Sequence, residues 1–257
     1  MKVKSPLKLV GGKYRLADWI VSHFPPHECY CEPFCGACHV LCAKEPSRVE
    51  IINDKDGDLV NFLLVARDQP ERLVKAVSSL PYSRLLYEKW KKEELPKDEF
   101  ERAVRWFYLI RSCFAGRIKM GWGFSKKENS SSVYQSTCQR IQAFADRLKK
   151  VQIDCLDFRE CIKRYDSPET LFYCDPPFVN KEYYYSISFT EQDHRDLAEI
   201  LHRIKGKVVL SYYPHPLIKE LYSDFYVKRK RTVKYSTKRI GKPKPRAIEL
   251  LLANFPL

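Results

Sequence analysis

With 257 residues, 44% of them hydrophobic, the chain can bury a proper core and is long enough for one large or two small domains. No apolar run approaches the roughly 18–20 residues of a membrane span, and Met1 to Pro6 lack the apolar stretch of a signal peptide, which argues against a spanning or secreted protein and predicts the cytoplasm. A formal charge of +14 and a pI near 9.3 point to a polyanionic partner, since each neutralised phosphate releases counterions, and sixteen Tyr and fourteen Phe add surfaces for stacking unpaired bases.

In chain order, an apolar-periodic segment from Leu16 to Phe24 precedes a short strand at Tyr30 and Cys31. The turn Glu32, Pro33, Phe34, Cys35, Gly36, Ala37 follows, then a helix from about Cys38 to Lys44. A second strand, Val49 to Ile52, runs into Asn53 and Asp54. Strand, glycine-bearing turn, helix, strand and acidic residue form a nucleotide-binding half of a doubly wound sheet, with Asp54 about 20 positions past the turn, where a ribose hydroxyl acceptor belongs. A dinucleotide fingerprint would carry three glycines, whereas this turn has Gly36 alone, so a diphosphate is poorly accommodated. S-adenosylmethionine has no phosphate and fits better, needing a close backbone approach for its amino-acid end and a carboxylate for its ribose. An ordinary strand-end turn would account for Asp54 equally well.

Five cysteines (Cys29, Cys31, Cys35, Cys38, Cys42) crowd into fourteen residues, which tempts a zinc reading. No second CxxC pair stands at finger spacing, and Cys35, Cys38 and Cys42 recur at helical spacing. Reduced thiols buried on one helix face are therefore expected, and no metal.

From about 57 to 148 the alternation gives way to helical patterns at Leu59–Arg67, Glu71–Ser79, Leu85–Lys92, Asp98–Phe114 and Thr137–Lys149. Between the last two lies a loop, Ala115 to Phe124, followed by Lys126, Lys127 and the serines 130–132. Its glycines, cations and aromatics suit a nucleic-acid probe, though a solvated loop with two aromatics tucked inward would also read this way. The alternation resumes with a strand at Val151–Cys155, then Leu156, Asp157 and Phe158 and a helix through Cys161. A strand into Asp175, a helix over Glu191–Ile204, a strand at Val208–Ser211 and a helix around Leu217–Tyr222 follow. Two last strands are predicted at Tyr226–Tyr235 and Ala247–Asn254, with ten Lys or Arg in residues 228–246, among them Arg231, Lys234, Lys238, Arg239 and Arg246. So dense a set of cations suits phosphate contact.

The chemistry concentrates at Asp175, Pro176, Pro177 and Phe178, which follow the apolar run Leu171 to Cys174 and so sit where a buried strand should end. The prolines remove two donors and fix φ, leaving the Asp175 carboxylate and neighbouring carbonyls as a rigid acceptor set beside an aromatic face. Such a set suits a planar exocyclic amine. With one N–H accepted by the carboxylate and one by the Pro176 carbonyl, the nitrogen is drawn toward tetrahedral geometry and its lone pair is freed, while Phe178 stacks on the ring. Over these four residues alone, an Asp-Pro turn closing a strand remains an equal reading.

Taken together, the chain resembles the Dam-type (D12 class) family of DNA adenine N6-methyltransferases, from its start to about Asn254. Leu7 to Lys13 is similar to the opening motif, whose glycines and lysine cover the methyl donor; Glu32 to Val40 to the cofactor loop; Asn53 and Asp54 to the ribose-binding strand end. Asp157 and Phe158 resemble the pair that holds the cofactor adenine, and Cys174 to Phe178 the catalytic tetrapeptide with its preceding residue. The resemblance implies an α/β fold: a Rossmann-like core with a seven-stranded mixed sheet ending in a β-hairpin (1–56 and 149–257), and a helical target-recognition domain (57–148) inserted after the second strand.

It also implies S-adenosylmethionine as cofactor, with Gly12, Lys13, Phe34, Gly36, Asp54, Asp157, Phe158 and Asp175 around it, and catalysis by Asp175, Pro176, Pro177 and Phe178 on an adenine rotated out of double-stranded DNA, without metal or covalent intermediate. Tyr108 to Arg117 is similar to the recognition segment, which makes Arg111, Phe114, Arg117 and Lys119 candidate DNA contacts, with Arg231 and Arg246 on the hairpin. A monomer is expected, and the resemblance admits a cognate restriction endonuclease as partner. The chain departs from the family pattern with Leu9 for an aromatic, Ala37 and Cys38 for glycines, Ala115 for Asn, and Tyr212 for Asn after Ser211. Ribosomal-RNA adenine and cytosine N4 methyltransferases use similar tetrapeptides, and a DNA-binding module with a decayed cofactor site is a further alternative. A nicotinamide dehydrogenase lacks the glycines.

Overall fold

In the computed structural model, which describes residues 3–184, 187–233 and 246–257, seven strands form one mixed sheet. They are β1 (Cys29–Glu32), β2 (Val49–Asn53), β3 (Gln152–Asp154), β4 (Thr170–Cys174), β5 (Lys207–Tyr212), β6 (Tyr226–Val233) and β7 (Arg246–Ala253), in the order β3-β2-β1-β4-β5-β7-β6. β1 is parallel to β2 and β4, and β4 to β5; β7 runs antiparallel to β5 and β6. The expected seven-stranded mixed sheet with a closing antiparallel pair is thus present. Strand order turns back on itself between β1 and β4, and in open α/β sheets that reversal opens a crevice at the carboxyl ends of the strands.

Eleven α-helices lie among the described residues. Before the sheet resumes at β3 come α1 (Ala17–Val21), α2 (His39–Ala43), α3 (Gly57–Asp68), α4 (Pro70–Ser78), α5 (Arg84–Lys92), α6 (Glu99–Ser112), α7 (Ser130–Cys138) and α8 (Arg140–Leu148). After it come α9 (Phe158–Tyr165), α10 (Glu191–Leu201) and α11 (Pro216–Leu221). Their starts are written in side chains that take up otherwise unpaired N–H groups: Asp56 at α3, Ser83 at α5, Asp98 at α6, Asp157 at α9, and a reciprocal Thr190–Asp193 capping box at α10.

Two local expectations are corrected. The serines 130–132 open α7 instead of closing a loop, because the Asn129 side chain accepts from the Ser132 N–H, and the single helix expected over Thr137–Lys149 is the end of α7 plus α8, which meet at Gln139. Nor do Cys35, Cys38 and Cys42 share a helix face. Cys35 lies in the turn, Cys38 caps α2 in the left-handed region at φ +54°, and Cys42 alone is helical; all three are still buried. Every one of the ten cysteines is a free thiol.

The chain divides into two compact units. One comprises Ser22–Cys35, Ser47–Asn53 and Leu156–Leu257. Its core alternates along the strands, with Cys31, Phe172, Cys174, Val208 and Leu210 facing α9, α10 and α11 residues such as Cys161, Leu197 and Ile218. β4 is buried along its whole length, as a central parallel strand must be. The other unit comprises Met1–Val21, Gly36–Pro46 and Asp54–Cys155, and is centred on α3 to α8, where Phe62 of α3 stacks on Phe107 of α6 with ring centres 5.2 Å apart. No helix among the described residues is long and apolar enough to cross a membrane.

Candidate active site and nucleic-acid interface

At the carboxyl end of β4 the chain leaves the buried strand at Asp175, which is half-buried, and continues through Pro176, buried, and Pro177 to Phe178, 7% exposed. The Phe178 carbonyl accepts from the Lys181 N–H at 2.8 Å, and Asn180 takes φ +62°, so the loop turns tightly after the aromatic. The Phe178 ring is seated edge-on against Tyr213 (4.5 Å) and tilted against Tyr212 (5.6 Å) of β5. In the adjoining strand, burial and the nearby thiol of Cys161 and carboxylate of Asp175 push the Cys174 thiol well up, which makes it an inert packing group.

The neighbouring carboxyl ends in this unit are pinned by Asn53, 1% exposed. Its amide donates to the carbonyls of Pro33 (2.9 Å) and Leu156 (3.0 Å), and its Oδ1 accepts from the Leu156 N–H (2.7 Å). The Cys35 N–H donates to the Asn53 carbonyl at 2.8 Å, so the turns after β1 and before α9 hang from one residue. They carry Phe34 and Phe158, whose rings lie 5.4 Å apart, and Phe189 closes a three-ring cluster at 5.9 and 5.7 Å from them. Asp157 caps α9 through the Arg159 N–H and pairs with the Arg159 guanidinium at 3.0 Å, which also binds Asp193 and Asp196 of α10 at 2.5 Å and lies over the Phe158 ring. These contacts fix the Phe158 ring from one side.

In the other unit, Gly36 takes φ +45°, and a Cβ built on it would meet nothing within 4 Å, so its backbone stands open to close approach. Its N–H donates to Asp54 Oδ2 at 3.0 Å, and the Asp56 N–H to Oδ1 at 3.0 Å. Burial outweighs these donors and lifts the Asp54 carboxyl to about 6. Lys13 is buried, its ammonium donating to the Gly11 carbonyl at 3.1 Å, and Gly12 lies against His39, where a Cβ would stand 3.2 Å from the imidazole. Burial, with Arg111 and Lys13 adding repulsion, depresses His39 to about 4.

The segment expected to recognise DNA is a tight hairpin. Cys113 bridges Trp122 antiparallel, the Phe114 N–H donates to the Gly121 carbonyl (2.8 Å), and the Gly123 N–H to Ser112 (2.7 Å). The hydroxyls of Tyr87 and Tyr82 donate to Ile118 and Gly123 carbonyls, at 2.6 and 2.5 Å, and hold it from behind. Phe114 is 50% exposed at its tip, and Trp122 stacks on Phe124 beneath the Arg84 guanidinium. Gly116 touches the opening motif: a Cβ there would lie 2.5 Å from the Lys8 carbonyl. Arg111 ends α6 half-buried, bonded to Thr137 Oγ1 at 2.9 Å, and burial together with Arg140 lowers its pKa. Arg117 lies half-buried in the same hairpin, and the backbone of Lys119 in its second turn. Arg231 and Arg246 occupy backbone positions in β6 and β7, and Lys234, Lys238 and Arg239 lie outside the described residues.

A family model described as D12 class N6 adenine-specific DNA methyltransferase matches residues 10–235. The chain belongs to this family. The methyltransferase is 28% identical over 237 residues to the DNA adenine methylase of Escherichia coli (strain K12), covering 86% of this chain and 84% of that protein. It is 26% identical over 292 residues to the Type II methyltransferase M.MjaIII of Methanocaldococcus jannaschii, covering 99% and 100%. A solved rRNA methyltransferase, AviRa from Streptomyces viridochromogenes, superposes at a TM-score of 0.40 with 12% identity over 93% of this chain and 84% of that one, a likeness that carries no argument.

Sequence reasoning on the methyltransferase overlooked Phe189, His194, Glu182 and Arg159. The aromatic before a capping Thr and the histidine one turn inside α10 are visible in the sequence, but only tertiary packing sets Phe189 against Phe34 and Phe158 and His194 against Tyr212.

Proposed function

We propose that this N6 adenine-specific DNA methyltransferase uses S-adenosylmethionine and acts on an adenine turned out of a specific site in double-stranded DNA, with Asp175, Pro176, Pro177 and Phe178 as the groups that hold the base. The observation that carries the reading is the emergence of Asp175 at the carboxyl end of a fully buried parallel strand beside the strand-order reversal. Each unit carries groups suited to the cofactor: in one, an open backbone at Gly36 and a carboxylate at Asp54 for vicinal hydroxyls; in the other, aromatic rings at Phe34 and Phe158. When bound, it supplies an electrophilic sulfonium methyl.

Asp175 and the Pro176 carbonyl then each accept an N–H from the exocyclic amine, freeing the nitrogen lone pair, and the carboxylate stabilises the positive charge that develops on N6 in a site shielded from water. Phe178, fixed by Tyr212 and Tyr213, sets the plane of the purine. Gly12 and Lys13 cover the donor, and Asp157 with Phe158 hold its adenine. Residues 57–148 serve as the target-recognition domain of a core formed by 1–56 and 149–257. Arg111, Arg117, Lys119, Arg231 and Arg246 contact DNA, Phe114 enters the duplex, and the enzyme works in the cytoplasm as a monomer, with or without a cognate endonuclease.

The test is Asp175→Ala. The variant is expected to lose methyl transfer by about a thousandfold or more while binding DNA as the wild type does. Transfer at the normal rate would refute the assignment.

A further inference from the structure

Between the rings assigned to the donor and the ring assigned to the target base lies a polar contact that the mechanism above does not use. His194, on the second turn of α10, is fully buried. Its Nδ1 is 2.7 Å from the Tyr212 hydroxyl, its Nε2 is 3.4 Å from Glu182 Oε1, and its ring meets Phe189 edge-on at 4.7 Å. Phe189 packs on Phe34 and Phe158; Tyr212 packs on Phe178. Glu182 Oε1 also accepts from the N–H of Asn180, the left-handed residue that turns the chain after Phe178. One imidazole therefore touches both ring systems and the loop that carries the acceptor groups.

The hydrogen positions follow from the partners. A carboxylate only accepts, so Nε2 carries the hydrogen, and burial, which pushes this imidazole below its ordinary value, keeps the ring neutral. Nδ1 is then the acceptor, and the Tyr212 hydroxyl donates to it. Tyr212, itself 1% exposed, is thereby held at one rotation against Phe178.

We infer that His194 is a positioning residue for methyl transfer, joining the rings of Phe34, Phe158 and Phe189 to Phe178 through the Tyr212 hydroxyl and the Glu182 carboxylate. This rests on Phe178 being the residue that sets the plane of the base. The hydrogen bonds do not reach substrate; they hold the ring that does, and a ring free to tilt lowers the fraction of bound adenines aligned for transfer.

The full-length chain is assayed with S-adenosylmethionine and unmethylated plasmid DNA, comparing His194→Leu, His194→Gln, Tyr212→Phe and the double variant His194→Leu/Tyr212→Phe. Both single losses should lower kcat by about tenfold with KM for either substrate changed by less than about twofold, as expected when a buried hydrogen bond that aligns a group is removed. His194→Gln, which presents an acceptor and a donor, should recover most of the rate. The double variant should be no slower than the slower single one, because both changes cut the same connection. Tyr212→Phe keeps the ring and its packing, so it carries the test even if His194→Leu does not fold. Wild-type kcat in Tyr212→Phe, a Gln variant as slow as the Leu variant, or multiplicative losses in the double variant would overturn the inference while wild-type methylation left the enzyme's assignment standing. A wild-type chain that transfers no methyl group would overturn that assignment and this inference with it.

Discussion

The side-chain amide of Asn53 donates to the carbonyl of Pro33 at 2.9 Å, and that contact ties the end of β2 to the turn that presents Phe34. Replacing Asn53 with Ala removes three hydrogen bonds at a residue 1% exposed and strands the Leu156 N–H and two carbonyls. Asn53→Ala should destabilise the fold by about 2–4 kcal/mol, seen as a lower urea midpoint with unchanged slope. Asn53→Asp should do at least as much damage, since its carboxylate would face the two carbonyls with no donor to offer.

Donor affinity should depend on pH through Asp54. Its carboxyl, lifted to about 6 by burial, is ionised at neutral pH and loses an acceptor when protonated. The Kd for S-adenosylmethionine, measured by calorimetry, should therefore rise as pH falls through about 6. In Asp54→Asn it should be about tenfold weaker at pH 7.5 and nearly flat with pH.

The same group and His39 should bend acid stability in opposite directions. His39 falls from 6.5 to about 4 on folding, so between those values the unfolded chain binds the extra proton and stability drops as pH falls. Asp54 rises from 3.8 to about 6, so in that window the folded chain binds the extra proton and stability drops as pH climbs. His39→Gln should remove the acid-side loss, at most about 3 kcal/mol, whereas Asp54→Asn should steepen it. Thermal unfolding from pH 4 to 7 separates the two; parallel shifts in both variants would contradict the assignment.

Neighbouring residues in the hairpin that follows α6 should respond with opposite signs. Ala115 takes φ +55°, a conformation that costs an L residue about 1–2 kcal/mol and that Asn tolerates better, so Ala115→Asn should raise Tm by about 2–4 °C. Gly116, at φ +73° with no room for a Cβ beside the Lys8 carbonyl, should lose about 2 kcal/mol or more as Ala.

Phe114, half exposed, contributes little to folding, and Phe114→Ala should leave Tm within about a degree. Its affinity for DNA should fall about tenfold, the size of a lost base-stacking contact. Equal DNA affinity in a filter-binding or anisotropy titration would remove Phe114 from the interface.

Much of this architecture is legible in local pattern. The unbroken apolar run Leu171 to Cys174 announces a strand buried on both faces, and the fivefold repetition of 3.6-residue periodicity after Asp54 announces the helical stretch. The departures from the family pattern acquire a reason only in three dimensions: Cys38 and Ala115, standing where Gly and Asn are usual, occupy left-handed backbone at φ +54° and +55°. Helical spacing misled at Cys35, Cys38 and Cys42 because a periodicity of cysteines cannot tell a turn and a cap from a helix face. The contact of His194 with Tyr212 joins residues on α10 and β5 that share no local pattern, and no reading of either segment alone would find it.

The pressing of Gly116 on the Lys8 carbonyl means that the strap proposed to cover the methyl donor and the loop proposed to address the DNA sequence are not separately adjustable parts. Engineering at the start of the chain, such as a fusion that reorients Leu7 and Lys8, would then reshape which sequences the enzyme marks as well as how well it holds its donor.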